Sequence, residues 1–298
     1  MKPYVLLFAL LAGVSLLAQN RGPLDLATAP VPPGAQRLSY GSDPLQFGEL
    51  RIPKTPGPHP IAIVIHGGCW LAKLGTMDPR AVAIDNMRPF ANALTDAGIA
   101  TWNIEYRRLG DVGGGWPGSF RDVASAADFL RTVAAKEQLD VKRVIAIGHS
   151  AGGHFALWLA GRHRIAKNSE LYSANPLPIA GVVDLDGPGD LKATLPLQQP
   201  VCGSPVITDL IGGSPEQQPD RYRAGSPIEL LPFGTRQIVL AGRMFGAQTP
   251  AYEAAVKKAG DAIEVSVSDA GHFVFIDPAS DMWPTVLKSV KSVLSVRQ

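Results

Sequence analysis

The stretch Val144-Ile145-Ala146-Ile147-Gly148-His149-Ser150-Ala151-Gly152-Gly153 decides how this chain folds. Its apolar start has the composition of a short buried strand, and the run from Phe155 to Ala160 suits a packed helix. Between them stands a serine, two residues after one glycine and two before another. A turn from strand to helix at that spacing is sharp and strained, and side chains at 148 or 152 would collide with the neighbouring strand and helix. The serine hydroxyl then projects above the sheet. The first N–H groups of the following helix lack intrahelical acceptors and point toward any negative charge that forms there.

Working outward, the same kind of strand recurs. Ile61 to Ile65 is a continuous β-branched run of the type covered on both faces in a parallel sheet. Residues 99–104, 179–186 and 237–241 read as further strands. Ile263, Val265 and Val267 alternate with polar residues, which predicts a half-exposed strand near an edge. Two more strands are expected at 35–40 and 46–52, around the turn Gly41-Ser42-Asp43-Pro44. Helices are predicted over 80–97, closed by Gly98, over 251–259, and over 282–296 with Pro284 in the first turn. Another follows the Gly113–Gly118 loop, with Val123, Ala126, Ala127, Leu130 and Val133 at helical spacing. Strand alternating with helix predicts one α/β domain over 35–298, built on a doubly wound, mostly parallel sheet. Residues 187–233 are Pro/Gly-rich and only partly helical in pattern, so they are expected to form a cap. Ligands of such sheets bind at the C-terminal ends of the strands.

With 46% hydrophobic and 18% charged residues the chain has ample material for a core. A net charge of +2 without a basic block argues against nucleic acid as a partner and against electrostatic membrane binding. Lys2 followed by the apolar run Tyr4–Leu17 and Ala18 reads as a signal peptide over 1–18, short for a membrane span. Export follows from that reading, an uncleaved anchor being the alternative. Residues 19–34, rich in Pro, Ala and Gly, are expected to form an extended leader. Cys69 and Cys202 would meet an oxidising compartment either as two separate thiols or as one disulfide. Nothing in the sequence speaks to oligomeric state.

A serine hydroxyl is a poor nucleophile until a base takes its proton, and histidine titrates in the right range. Of six histidines, His59 lies in a proline-rich loop, His163 in a basic patch and His154 on the helix after the serine. His66 and His149 sit inside glycine motifs, where backbone geometry and hydrogen bonding account for them. His272, in Asp269-Ala270-Gly271-His272-Phe273 beyond the last strand, is the expected base. Acyl transfer puts negative charge on the former carbonyl oxygen, and one fixed N–H donor there is worth roughly 3 kcal/mol. Ala151 is one expected donor, and Gly68 or Cys69 of His66-Gly67-Gly68-Cys69-Trp70 another. Trp70, Trp116 and Phe273 are candidates for lining an acyl or aryl pocket. Glu105 with Arg107 or Arg108 reads as an ion-pair network. The sequence has no phosphate-cradling loop with its lysine and no metal-ligand cluster, and hydrolysis by water implies no cofactor.

The order His-Gly-Gly-x-Trp, Gly-x-Ser-x-Gly-Gly and a late Gly-His resembles the α/β-hydrolases of the esterase/lipase type, near the bacterial feruloyl-esterase-like and kynurenine-formamidase-like branches, over residues 35–296. The resemblance implies cleavage of small-molecule carboxylic esters through an acyl-serine intermediate. Ser150 would be the nucleophile, His272 the base, and Gly68, Cys69 and Ala151 the oxyanion donors. An amidase or arylformamidase is the alternative. Such relatives place an aspartate after the penultimate strand, but Gly242 to Pro250 contains no acid. Asp186, one strand earlier, is the expected replacement. Asp190 or Asp269 is a second possibility, and a dyad or a catalytically inactive binding protein a third.

Overall fold

The computed structural model describes residues 21–295, so the expected signal peptide lies outside the described residues. The strands are β1 (Gln36–Ser39), β2 (Phe47–Arg51), β3 (His59–Ile65), β4 (Ala100–Ile104), β5 (Leu139–His149), β6 (Gly181–Leu185), β7 (Arg236–Ala241) and β8 (Ile263–Val267). They form one sheet in the order β1-β2-β4-β3-β5-β6-β7-β8. Only the pairs β1/β2 and β2/β4 are antiparallel. β-Branched residues fill the centre because both faces are covered. Along β3, Ile61, Ile63 and Ile65 belong to one core and Ala62 and Val64 to the other, as side-chain alternation requires.

Helices α1 (Pro23–Ala27), α2 (Arg88–Asp96) and α9 (Trp283–Ser295) cover one face. Helices α3 (Gly118–Ala134) and α4 (Ala151–Gly161) cover the other. The segment after β6 adds α5 (Leu191–Cys202), α6 (Val206–Ile211) and α7 (Pro219–Gly225) above that second core, and α8 (Thr249–Ala259) links β7 to β8. Among the described residues no helix is long and apolar enough to cross a membrane.

Three expectations need correction. The leader is not extended throughout: Pro23 begins the short helix α1, and Leu26 is fully buried against the α2–α9 side of the sheet. Burying that side chain is worth about 1.5–3 kcal/mol, which composition does not reveal. The helix expected over 80–97 is broken into two 3-10 turns, Pro79–Val82 and Ile84–Met87, before α2 begins at Arg88. Residues 187–233 are more helical than their composition suggests. Asp190 caps α5 by accepting from the Lys192 and Ala193 amides, and left-handed Gly203 ends it.

The register is what builds a site. Ile65 pairs with Gly148, His149 with Leu185, Leu185 with Leu240, and Ala241 with Val267. Residues 66, 150, 186, 242 and 268 therefore leave the sheet at one edge, and all five strands point the same way.

Candidate active site

Backbone strain is concentrated along that edge. Among the described residues five non-glycine residues have positive φ, and four of them, Cys69, Trp70, Ser150 and Asp186, stand on turns leaving β3, β5 and β6. Each costs on the order of 1–3 kcal/mol unless its surroundings hold it, so a cluster of four argues for a site rather than for poor turns.

Ser150 has φ 56° and ψ −124° and precedes α4 directly. The two glycines around it follow from contact geometry. A Cβ at Gly148 would overlap the Gly152 carbonyl, and one at Gly152 would overlap the Ile65 carbonyl. The serine amide is spent on the sheet, donating to the Leu185 carbonyl at 3.0 Å.

The turn leaving β6 carries Asp186, with φ 51° and a fully buried side chain. Its Oδ2 lies 2.7 Å from Nδ1 of His272. Its Oδ1 accepts from the Gly242 amide at 2.8 Å and the Phe245 amide at 3.2 Å. A carboxylate facing Nδ1 fixes the proton there and leaves Nε2 as the ring's acceptor. The loop after β7, which holds no acid, thus supplies donors to the acid one strand away. Asp190 is occupied as the α5 cap, and Asp269 is exposed beside Arg243, 3.7 Å away.

His272 opens a short 3-10 turn anchored by buried Phe275 and Ile276. His149 braces it from below. The His149 Nε2–H donates to the His272 carbonyl at 2.9 Å, and the two ring centroids are 4.3 Å apart. Burial, and then the neighbouring His272, push the His149 pKa well below the usual value, so the ring stays neutral.

On the β3 side, Gly68 has φ 106° and Cys69 and Trp70 each 56°. This winding leaves the Gly68 and Cys69 amides, like that of Ala151 at the start of α4, without a hydrogen-bond acceptor among the described residues. His66 holds the turn from beneath: Nδ1 is 2.8 Å from the Gly67 carbonyl and Nε2 2.8 Å from Glu105. Burial would raise the Glu105 carboxyl, but His66, Arg108 and the Tyr106 amide outweigh it and hold the group below the usual carboxylate range. The expected pairing of Glu105 with Arg108 is present at 3.8 Å, whereas Arg107 pairs with Asp122. A disulfide joins Cys69 to Cys202 at the end of α5, deciding between the two thiol readings.

Ser150 and His272 line one cavity of about 160 Å³, together with Gly68, Cys69, His149 and Phe273. Trp70 lines a second, smaller cavity beside Ser150 and Ala151. Its indole N–H donates to Nδ1 of His154 at 3.3 Å, and the His154 Nε2–H donates to the Gly225 carbonyl at 2.8 Å. Burial lowers the His154 pKa to about 4, consistent with that neutral tautomer. Trp116 is elsewhere, contrary to expectation. Its indole N–H finds its acceptor in Glu170 at 2.8 Å, its ring packs on Phe120, and it lines a polar cleft with Arg164 and Arg221. Met244 and Phe245 after β7, and Leu197 and Val201 on α5, border the two cavities and had not been singled out. The strand-end rule points to the first two; the i, i+4 spacing of the second two is a helical face whose direction only the fold sets.

A search of curated proteins finds no match. Among solved structures, the chain is similar to a truncated carbohydrate esterase from gut microbiota, at 19% identity and a TM-score of 0.70, over 87% of this chain and 95% of that one. Esterase B from Lactobacillus rhamnosis gives 19% and 0.70 over 91% and 90%. Native Est2 from the planctomycete Thermogutta terrifontis gives 18% and 0.68 over 88% and 92%. At such identities the likeness concerns the fold, which is that of the α/β-hydrolases. The BD-FAE family model matches residues 50–240, running from β2 through the glycine loop, the serine turn and Asp186 to the end of β7. The chain belongs to the BD-FAE family.

Proposed function

We propose that this protein is an exported serine hydrolase that cleaves small carboxylic esters. Ser150 Oγ attacks the ester carbonyl while His272 Nε2 takes its proton. The tetrahedral oxyanion is held by the amides of Gly68, Cys69 and Ala151, at roughly 3 kcal/mol for a single donor. His272 then hands its proton to the departing alcohol, and water, activated by the same ring, releases the acid. Asp186 keeps the imidazole in the tautomer this sequence needs. The observation that carries the reading is the 2.7 Å contact between His272 and Asp186, on a ring that borders one cavity with Ser150, Gly68 and Cys69. Esterases among the structural neighbours support it. Export is supported by the apolar run before Ala18 and by the disulfide, a bond that persists in oxidising compartments.

The test is expression of the whole chain in an exporting host, followed by assay of the recovered protein on 4-nitrophenyl esters. The expected protein begins at Gln19 and hydrolyses the acetate, and Ser150→Ala lowers kcat by at least about 10⁴-fold. Equal turnover by the two proteins rejects the nucleophile, and retention of residues 1–18 rejects processing.

A further inference from the structure

Two cavities meet at Ser150, and only one of them contains His272. If Ser150 works as proposed above, on which this inference rests, His272 protonates the leaving alcohol, so the alcohol must lie on its side, in the cavity of about 160 Å³. The acyl group is left with the other cavity, which lies beneath α5 and is bordered by Ala151, Trp70, Leu197, Val201, Val206 and Phe245. That space is about 20 Å³, room for little more than one water or one methyl group.

Its polar lining residues are already engaged. Thr194 Oγ1 donates to the Asp190 carbonyl at 2.6 Å and meets Gln248 Oε1 at 2.9 Å. Gln198 Oε1 accepts from the Ile207 and Thr208 amides at 3.0 and 3.3 Å. Apart from Ser150, the rest of the lining is apolar. The Cys69–Cys202 bond closes this space: Cys69 borders both cavities, Cys202 only the smaller, and the bond ties the C-terminal end of α5 to the turn whose amides face the reacting carbonyl.

We propose that the Cys69–Cys202 disulfide is a specificity-determining clamp that holds α5 over an acetyl-sized acyl pocket, so that the enzyme removes acetyl groups and takes its alcohol in the His272 cavity. The measurement is kcat/KM on 4-nitrophenyl acetate, butyrate and hexanoate. The oxidised wild type is expected to favour acetate over butyrate by about tenfold or more, since each misfitting methylene in an apolar pocket is worth about 10-fold to 200-fold. Cys202→Ser is expected to raise the butyrate-to-acetate ratio at least about tenfold. Losing a bond that closes so long a loop can prevent folding. Leu197→Ala and Val201→Ala, at half-exposed positions with the disulfide intact, should therefore raise the same ratio. A wild type as active on butyrate as on acetate overturns the clamp while leaving the esterase reading standing. So do variants that change all three esters by one factor. A wild type that hydrolyses none of them overturns both.

Discussion

Asp184 and Asp186 stand two residues apart where β6 meets its turn, both are enclosed by protein, and they are partnered in opposite ways. Asp186 faces three donors: the His272 ring and the amides of Gly242 and Phe245. Asp184 has an Oδ1 with no partner among the described residues, and a Cβ at Gly153 would overlap it. Burial, and then the charge of Asp186, drive the Asp184 pKa well above the ordinary value against the pull of the Gly187 amide. Depth alone does not distinguish the two carboxylates; the donors that neighbouring strand ends deliver do. Glu105 at the end of β4 extends the comparison. It is as buried as the other two and is held below the usual carboxylate range, yet its partners His66 and Arg108 brace the glycine turn and lie away from Ser150 and His272 in the chain's contacts.

The largest effect should come from the partnered acid beside the base. Asp186→Asn is expected to lower kcat about 10⁴-fold with little change in KM, because the amide stabilises the wrong tautomer of His272. Asp190→Asn should leave kcat near wild type. The reverse pattern in steady-state kinetics would move the role to Asp190. Glu105→Gln comes next, as a loss of stability of about 3–5 kcal/mol at neutral pH, since it takes the buried carboxylate away from His66 and leaves Arg108 with Asp111 alone. Because the folded-state pKa of Glu105 lies below its unfolded value, its contribution is complete at neutral pH and is lost as the pH falls through the folded value. Urea unfolding of wild type and variant should therefore converge on acidification; a constant gap would contradict an ionised Glu105. The smallest effect should be Asp184→Asn. A carboxyl that burial pushes toward its neutral form and that makes no contact with His272 loses little on becoming an amide, so kcat/KM should stay within about threefold, under about 0.7 kcal/mol of barrier. A loss approaching that of Asp186→Asn would mean that Asp184 carries charge in the working enzyme.

Much of this arrangement is legible in the sequence because it depends on local rules. Strand composition before Gly148, apolar residues after Gly153 and the glycine spacing fix the serine turn, and the alternation of elements fixes a parallel sheet with its useful edge. Asp186 is readable for the same reason: it ends a strand on that edge, and the segment after Ala241 offers no acid. What was not legible depends on distant partners. Leu26 turns a Pro/Ala-rich leader into a docked helix through contacts with residues far along the chain. Trp116 follows a glycine loop as Trp70 does, but Glu170 and Phe120 draw it to another cleft. The pairing of Cys69 with Cys202 crosses 133 residues, a distance over which spacing carries no information. His149 gave no sign that its ring would brace the loop of His272.

The central claim is that one hydroxyl, at residue 150, becomes the nucleophile because strands β5, β6 and β8 bring its base and that base's carboxylate to the same edge. Reaction of the folded enzyme with a 4-nitrophenyl alkylphosphonate, followed by peptide mass mapping, tests it most directly. The account predicts one adduct per chain, on Ser150, with loss of esterase activity in step with labelling. Activity lost through an adduct on another residue, or an active enzyme that the reagent leaves unlabelled at Ser150, would contradict it.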